Sequence, residues 1–236
     1  MAKGSGVVCL TFDDRNFSAW REALPIFRQY DAKVTFFISG ELDAATLEEI
    51  SFLQAAGHSI GLHGRNHRRA ADAINECGEE AYFATEIAPQ LEACCKSNIP
   101  VSAFAYPYSQ QDERSNGLLS KYFRYMRTGA VAWENLSPSE KERVLLTRNK
   151  IAEHQLLYGI GLGRYWQQEL NPVMDILDEI SFGDRLGVFY SHSITAEQSS
   201  PNNITVALLE KFLCAAAVRH IQLLGIQQLP AFFSLN

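Results

Sequence analysis

The sequence predicts an α/β chain whose strands close into a (β/α) barrel of about seven parallel strands. Two observations carry that expectation. Short apolar, β-branched runs alternate with longer segments of helical periodicity. Runs without polar alternation are strands covered on both faces, which makes them parallel with helices outside. Seven or eight such units fill 236 residues, a length that barrels use as one unit, so a single domain over residues 1–236 is expected.

The elements follow in order. GVVCLTF (6–12) reads as a buried strand that ends at Asp13-Asp14. From Ser18 to Tyr30 the apolar residues Trp20, Leu24, Ile26, Phe27 and Tyr30 form a helical stripe. KVTFFIS (33–39) is a second strand, followed by a helix from Asp43, its N-cap, to Ala56, with Gly57 as its stop. HSIGLH (58–63) is a third strand, about 76–97 a long helix, and VSAFAY (101–106) a fourth strand before Pro107. The pattern then weakens: helix at roughly 114–122, strand at Tyr125–Thr128, strand near Val144–Leu146, helix at about 171–181. GVFYSH (187–192) is a late buried strand, Ile204–Val218 a helix and Ile221–Gly225 a last strand.

Composition narrows the class. With 47% hydrophobic and 11% aromatic residues the chain can build a core, which excludes intrinsic disorder. No apolar run approaches the ~18 residues of a membrane-spanning helix. A net charge of −6 without a basic stripe argues against a nucleic-acid partner. The cysteines Cys9, Cys77, Cys94, Cys95 and Cys214 include no C-x-x-C pair, so reduced and mostly buried thiols are expected. The opening MAKGSG carries no secretory signal, which suggests a cytoplasmic protein unless a signal had been trimmed. Oligomeric state is not readable.

Chemistry in such barrels sits at the carboxyl ends of the strands. Strand one ends in Asp13-Asp14, strand three in His63-Gly64-Arg65-Asn66-His67, strand four in Tyr106-Pro107-Tyr108, and the late strand in His192. His63 and His67 are four apart, so one helical turn would place both imidazoles on one side, ready to share a metal. Each item alone reads as readily as a turn, a surface pair or a core-edge histidine. Together they offer what a catalytic metal needs: two or three His/Asp donors and an open position.

Leu10-Thr11-Phe12-Asp13-Asp14, KVTFFISG, SIGLHGRNH and FAYPY together resemble the polysaccharide deacetylase (NodB-homology) family of carbohydrate esterases. The resemblance implies a distorted (β/α) barrel and metal-dependent removal of an N- or O-acetyl group from a sugar or glycan. It implies that Asp14, His63 and His67 bind the metal and that Asp13 is the base that takes a proton from metal-bound water. Tyr108, in the Pro107-Tyr108 pair, is similar to the residue whose backbone N–H helps hold the oxyanion. His192 is similar to the general acid that protonates the leaving group. The reaction asks for these types independently: an acetamide is a poor electrophile, so its carbonyl must be polarised, a carboxylate must accept a proton and an imidazole must return one. Zinc suits the donor set, as do cobalt, manganese and iron.

The departures from the family pattern are specific. Arg15 stands where Gly usually follows Asp-Asp, and Gly64 where Ser or Thr follows the first His. Ala105 occupies the position of an Arg that pairs with the base; Arg127, at the end of another strand, is the candidate replacement, its alternative being a solvated surface arginine. No Asp-x-x-Asp-Trp motif is present; Trp133 and Trp166 lack that context. Tyr190-Ser191-His192 replaces Leu-x-His, so Tyr190 either lines an acetyl-methyl pocket or fills the barrel. His154 is a distant rival for the acid, and His58 and His220 read as structural. Two other readings compete: a cytoplasmic hydrolase of the same fold acting on cyclic imide, allantoin-like or formamido substrates, and a non-catalytic carbohydrate binder.

Overall fold

The computed structural model describes residues 6–129, 132–198 and 200–234; residues 1–5, in which no signal was read, lie outside it. The chain starts with β1 (Val7–Asp14), α1 (Phe17–Gln29), β2 (Thr35–Ile38), α2 (Ala44–Ala55) and β3 (Ser59–Leu62). Next come α3 (Ala70–Cys77), α4 (Glu79–Tyr82), a π-helical turn Phe83–Ile87, α5 (Ala88–Lys96), β4 (Ala103–Ala105), α6 (Glu113–Leu119) and β5 (Tyr125–Gly129). They are followed by α7 (Pro138–Val144), β6 (Leu146–Thr147), α8 (Arg148–Glu153), β7 (Leu156–Gly161), α9 (Asn171–Gly183) and β8 (Arg185–Ser191). The chain continues through β9 (Ile194–Thr195), β10 (Ile204–Thr205), α10 (Val206–Val218), β11 (Gln222–Leu223) and α11 (Leu229–Ser234).

The strands β1-β2-β3-β4-β5-β7-β8 pair in parallel, and β8 pairs back onto β1 from Val7↔Leu186 to Phe12↔Ser191. The result is the closed seven-strand barrel that the alternation predicts. Its strands are buried on both faces, and the alternation of side chains sorts the core into two bodies. Val8, Leu10, Phe12, Phe36 and Ile38 pack outward against the helices, with Trp20 and Phe27 of α1 among them. Val7, Cys9, Phe37, Ala103, Ala105 and Tyr125 form a second cluster toward the barrel axis. Asp43 caps α2 by accepting the Thr46 N–H at 2.8 Å, and Gly57 takes the left-handed φ of 89° that ends the helix.

Four expectations change. The strand read near Val144–Leu146 is the two-residue β6, which pairs antiparallel with β8 outside the barrel; Val144 ends α7. The sixth barrel strand is instead β7, whose glycines broke the apolar run. The long helix expected over 76–97 runs from Glu79 to Lys96 through the π-helical turn, and a separate helix α3 precedes it, divided from it at Gly78, whose φ of 84° a continuing helix cannot hold. The last strand shrinks to Gln222–Leu223, paired with β1 but not part of the closed ring. The cysteines are all unpaired, but Cys77, Cys95 and Cys214 are exposed, because only Cys9 and Cys94 fall on inward faces.

Candidate active site

Alternation along β1 decides where its two carboxylates go. Val7, Cys9 and Thr11 point to the barrel axis, so Asp13 follows them inward and is 2% exposed. Asp14 leaves the strand with a left-handed φ of 81°, which turns its side chain toward the loop after β3. One strand thereby delivers a buried carboxylate and a half-exposed one within two residues.

The buried one is paired. Arg127 on β5, 1% exposed, donates from Nη2 to Asp13 Oδ2. Its register partner on β4 is Ala105. Neighbouring strands in register project to the same side, and the small Ala105 leaves that space to the arginine. The guanidinium therefore reaches Asp13 from one strand further around the barrel than the position expected to carry an arginine. Gly159 on β7 makes the same passage possible: a Cβ there would lie 3.1 Å from Arg127 Cδ and 3.0 Å from Tyr190 Cδ1. The Tyr190 ring covers the guanidinium at 4.8 Å. Burial pushes the Asp13 carboxyl up, but the Arg127 guanidinium, then His63 and His192, hold it below the usual carboxylate value. Oδ1 of Asp13 is buried and has no hydrogen-bond partner among the described residues.

Asp14, His63 and His67 form a second cluster, with donor atoms all within 4.8 Å of one another. The two Nε2 atoms are 3.1 Å apart, and Asp14 Oδ1 lies 3.8 Å from His63 Nε2 and 3.5 Å from His67 Nε2. Tetrahedral donors about 2.0–2.1 Å from one ion are spaced about 3.3 Å apart, so the three fit a single divalent cation. His63 Nδ1 faces the Ala105 carbonyl at 2.8 Å, which fixes the tautomer with Nε2 as the free donor. Burial, offset in part by Asp13, lowers the His63 imidazole to about 4 and keeps it neutral, the form that ligates. The connection between the histidines is not the helical turn expected from their spacing. Gly64 and His67 both adopt left-handed backbone, φ 81° and 54°, and a loop brings the imidazoles together.

Both clusters open into one cavity of about 420 Å³. Tyr108 lines it, exposed to 60% and in left-handed backbone at φ 56°. Its ring meets His67 at 4.8 Å and the Arg69 guanidinium at 4.4 Å. Pro107 starts the short turn that carries Tyr108, and the Tyr106 N–H donates to the Arg127 carbonyl at 2.9 Å, tying that turn to β5. His192, on the far side, points Nδ1 at the Asn202 carbonyl at 3.1 Å, and its own carbonyl accepts from Trp20 Nε1 at 2.8 Å. Tyr190 lines the cavity beside Arg127.

The remaining sequence candidates lie elsewhere. His154 is exposed with Nδ1 on the Lys150 carbonyl, and neither it nor Trp133 or Trp166 lines the cavity. His58 is buried against Phe27 and Phe36 and accepts from the Val34 N–H, whereas His220 is an exposed residue just after α10. Three cavity residues escaped the sequence reading: Arg69, Ser109 and Asn202. Ser109 directly follows a recognised motif and Arg69 stands two residues after another, so both could have been found by extending them. Asn202 belongs to the segment after β9, and no local pattern marks it.

The family model for polysaccharide deacetylases matches residues 1–124. Among solved structures, the chitin deacetylase of the fungal pathogen Colletotrichum lindemuthianum is similar with a TM-score of 0.59 and 19% identity, over 96% of this chain and 88% of that one. The peptidoglycan deacetylase PdaC of Bacillus subtilis gives 0.57 and 15% identity, over 96% and 91%. A family 4 carbohydrate esterase of Streptomyces lividans gives 0.56 and 17%, over 92% and 91%. At these identities the likeness concerns the fold. A search of curated protein sequences found no match.

Proposed function

Since the chain belongs to the polysaccharide deacetylase family, we propose that it is a metal-dependent hydrolase that removes an acetyl group from an N- or O-acetylated sugar. One observation carries this reading: a three-donor cluster of Asp14, His63 and His67 stands beside a buried carboxylate with one oxygen held by Arg127 and the other without a partner among the described residues. Residues 1–236 act in it as one catalytic domain, supported by the pairing of β1 with both β8 and β11.

Asp14, His63 and His67 would hold a divalent cation, which supplies Lewis-acid polarisation of the acyl group and a lowered pKa for water. Zinc, cobalt, manganese and iron all suit these donors. Asp13 Oδ1 accepts the proton of the attacking water, because Oδ2 is already engaged by Arg127. The Tyr108 backbone N–H, carried on the turn begun by Pro107, donates to the developing oxyanion. His192, oriented by the Asn202 carbonyl on Nδ1, gives a proton from Nε2 to the departing amine or alkoxide. Tyr190 holds Arg127 against Asp13 and closes that side of the cavity.

A working place in a reducing compartment such as the cytoplasm is part of this reading, supported by five cysteines that are all free. Among the described residues no helix is long and apolar enough to cross a membrane. A substrate met there would be a soluble precursor rather than a finished wall polymer. The test is turnover by the metal-loaded protein across acetylated mono- and oligosaccharides, formamido sugars and cyclic imides. Acetate release that disappears in His63→Ala is the expected result. Ring opening of a cyclic imide or release of formate, without acetate, moves the site to the alternative hydrolase; carbohydrate binding without any turnover makes it a binding module.

A further inference from the structure

The loop that carries both histidines has almost no regular structure of its own, yet it must hold two imidazole nitrogens 3.1 Å apart. Its backbone donors show what fixes it. The Arg65 N–H donates to the Glu86 carbonyl at 3.0 Å, and the Asn66 N–H donates to Glu86 Oε2 at 2.8 Å. The Asn66 side chain donates to Glu86 Oε1 at 2.7 Å, so both carboxylate oxygens are taken by one loop residue.

Glu86 is fully buried, at 0% exposure, and among the described residues no lysine, arginine or histidine pairs with it. A buried carboxylate without a cation is costly unless N–H donors offset it. Here those donors all come from the 63–67 loop. Two further features serve the same contact. Gly64 has no side chain, and a Cβ there would lie 3.2 Å from Glu86 Oε2, so the carboxylate occupies the space a larger residue would need. The π-helical turn Phe83–Ile87 adds one residue to its turn of helix, and Glu86 sits within it.

We propose that Glu86 is the positioning residue of the metal site: through the two hydrogen bonds that its carboxylate takes from Asn66 it sets the spacing of His63 and His67. This rests on the reading of Asp14, His63 and His67 as metal ligands. It predicts that the loop loses its set when the carboxylate is removed, although no ligand is touched.

The experiment is metal binding by purified full-length protein, with cobalt followed by its visible spectrum and zinc by competition with a chromophoric chelator. Glu86→Ala should weaken binding of both metals about 10–100-fold, the usual effect of removing an outer-shell partner, and change the cobalt band positions. Glu86→Gln keeps one oxygen for the Asn66 N–H and should recover part of that loss. It also keeps the test valid if Glu86→Ala fails to fold. Asn66→Ala should weaken binding similarly and add little to Glu86→Gln, because both break the same contact. Folded Glu86 variants with unchanged affinity and an unchanged cobalt spectrum would overturn the inference while leaving the hydrolase reading intact. A wild-type protein that takes up neither metal would overturn both. Metal uptake that depends on Glu86 without acetate release would sink only the deacetylase reading.

Discussion

The half of the barrel from β1 to β4 and the half from β5 to β8 contribute to the cavity in different ways. In the first half, functional groups arrive in short clusters: Asp13-Asp14, His63 to His67 and Tyr106 to Tyr108. Each cluster ends on a residue in left-handed backbone, Asp14, His67 or Tyr108, at φ 81°, 54° and 56°. In the second half Arg127 comes as a single side chain from β5 and finds its partner Asp13 across the barrel, whereas Tyr190 and His192 come from the end of β8 and His192 is held by Asn202, ten residues further along the chain. The segment matched by the family model stops at residue 124, one residue before β5. The three-donor cluster is thus written in short local segments, whereas the pairing of Asp13 with Arg127 depends on strands far apart in the chain.

The largest expected effect breaks the local half. His63→Ala removes one of the three proposed ligands, so bound metal should fall to background. Several kcal/mol of transition-state stabilisation go with it, a loss of roughly 10³-fold or more in turnover. Metal analysis and acetate release on the same samples check both.

Arg127→Ala breaks the other half without touching a ligand. It strands a buried carboxylate, so stability should fall by about 3–5 kcal/mol in urea titration. Burial then acts on Asp13 without its main opposing charge, and its pKa rises. Because the base role proposed for Asp13 requires it to be ionised, the acid limb of kcat/KM should move to higher pH. Turnover near neutrality should drop by about 10² or more. Adding Ala105→Arg to this variant returns a guanidinium from the neighbouring strand and should restore about tenfold. Unchanged rate and pH profile in Arg127→Ala would end the proposed role.

His192→Ala sharpens the division between ligand and proton work. Amide hydrolysis should slow by about 10²–10⁴-fold, whereas an activated aryl acetate, whose leaving group needs no proton, should be far less affected. Metal content should not change.

The smallest effect concerns His58, a histidine of the first half outside the cavity. Burial, then Lys33, lowers its imidazole to about 4. An unfolded histidine takes up a proton near pH 6.5, so its contribution to stability is present above that pH. It is lost as pH falls from about 6.5 to 4, by up to ~3 kcal/mol. His58→Gln should remove this share of the slope and leave turnover unchanged; urea titrations at pH 7 and pH 5 check it.

The same two halves explain how far the sequence could be read. Asp13, Asp14, His63, His67 and Tyr108 stand at the ends of strands whose apolar runs are plain, so fold and cluster were legible together. β7 was not, because Gly159 and Gly161 interrupt its apolar pattern. Those glycines are there for the site: a Cβ at Gly159 would press on Arg127 and one at Gly161 would stand 3.2 Å from the Tyr190 hydroxyl. The strand was therefore hidden by the space that the second half needs. Arg127 could be nominated from its place on β5, but its reach past Ala105 depends on strand register, which no local pattern states. Glu86 was invisible for a related reason, being a buried acid in a helical segment 20 residues beyond the loop it holds.

The left-handed residues at the mouth of the barrel set a direction for laboratory evolution. A non-glycine residue in that conformation costs about 1–2 kcal/mol, more than glycine loses there in chain entropy. Selection for heat tolerance alone would therefore favour glycine at positions 14, 67 and 108. At 14 and 67 that change deletes a side chain of the three-donor cluster. Screens of this protein need to score turnover at every round, because a thermal ranking by itself would reward the loss of that cluster.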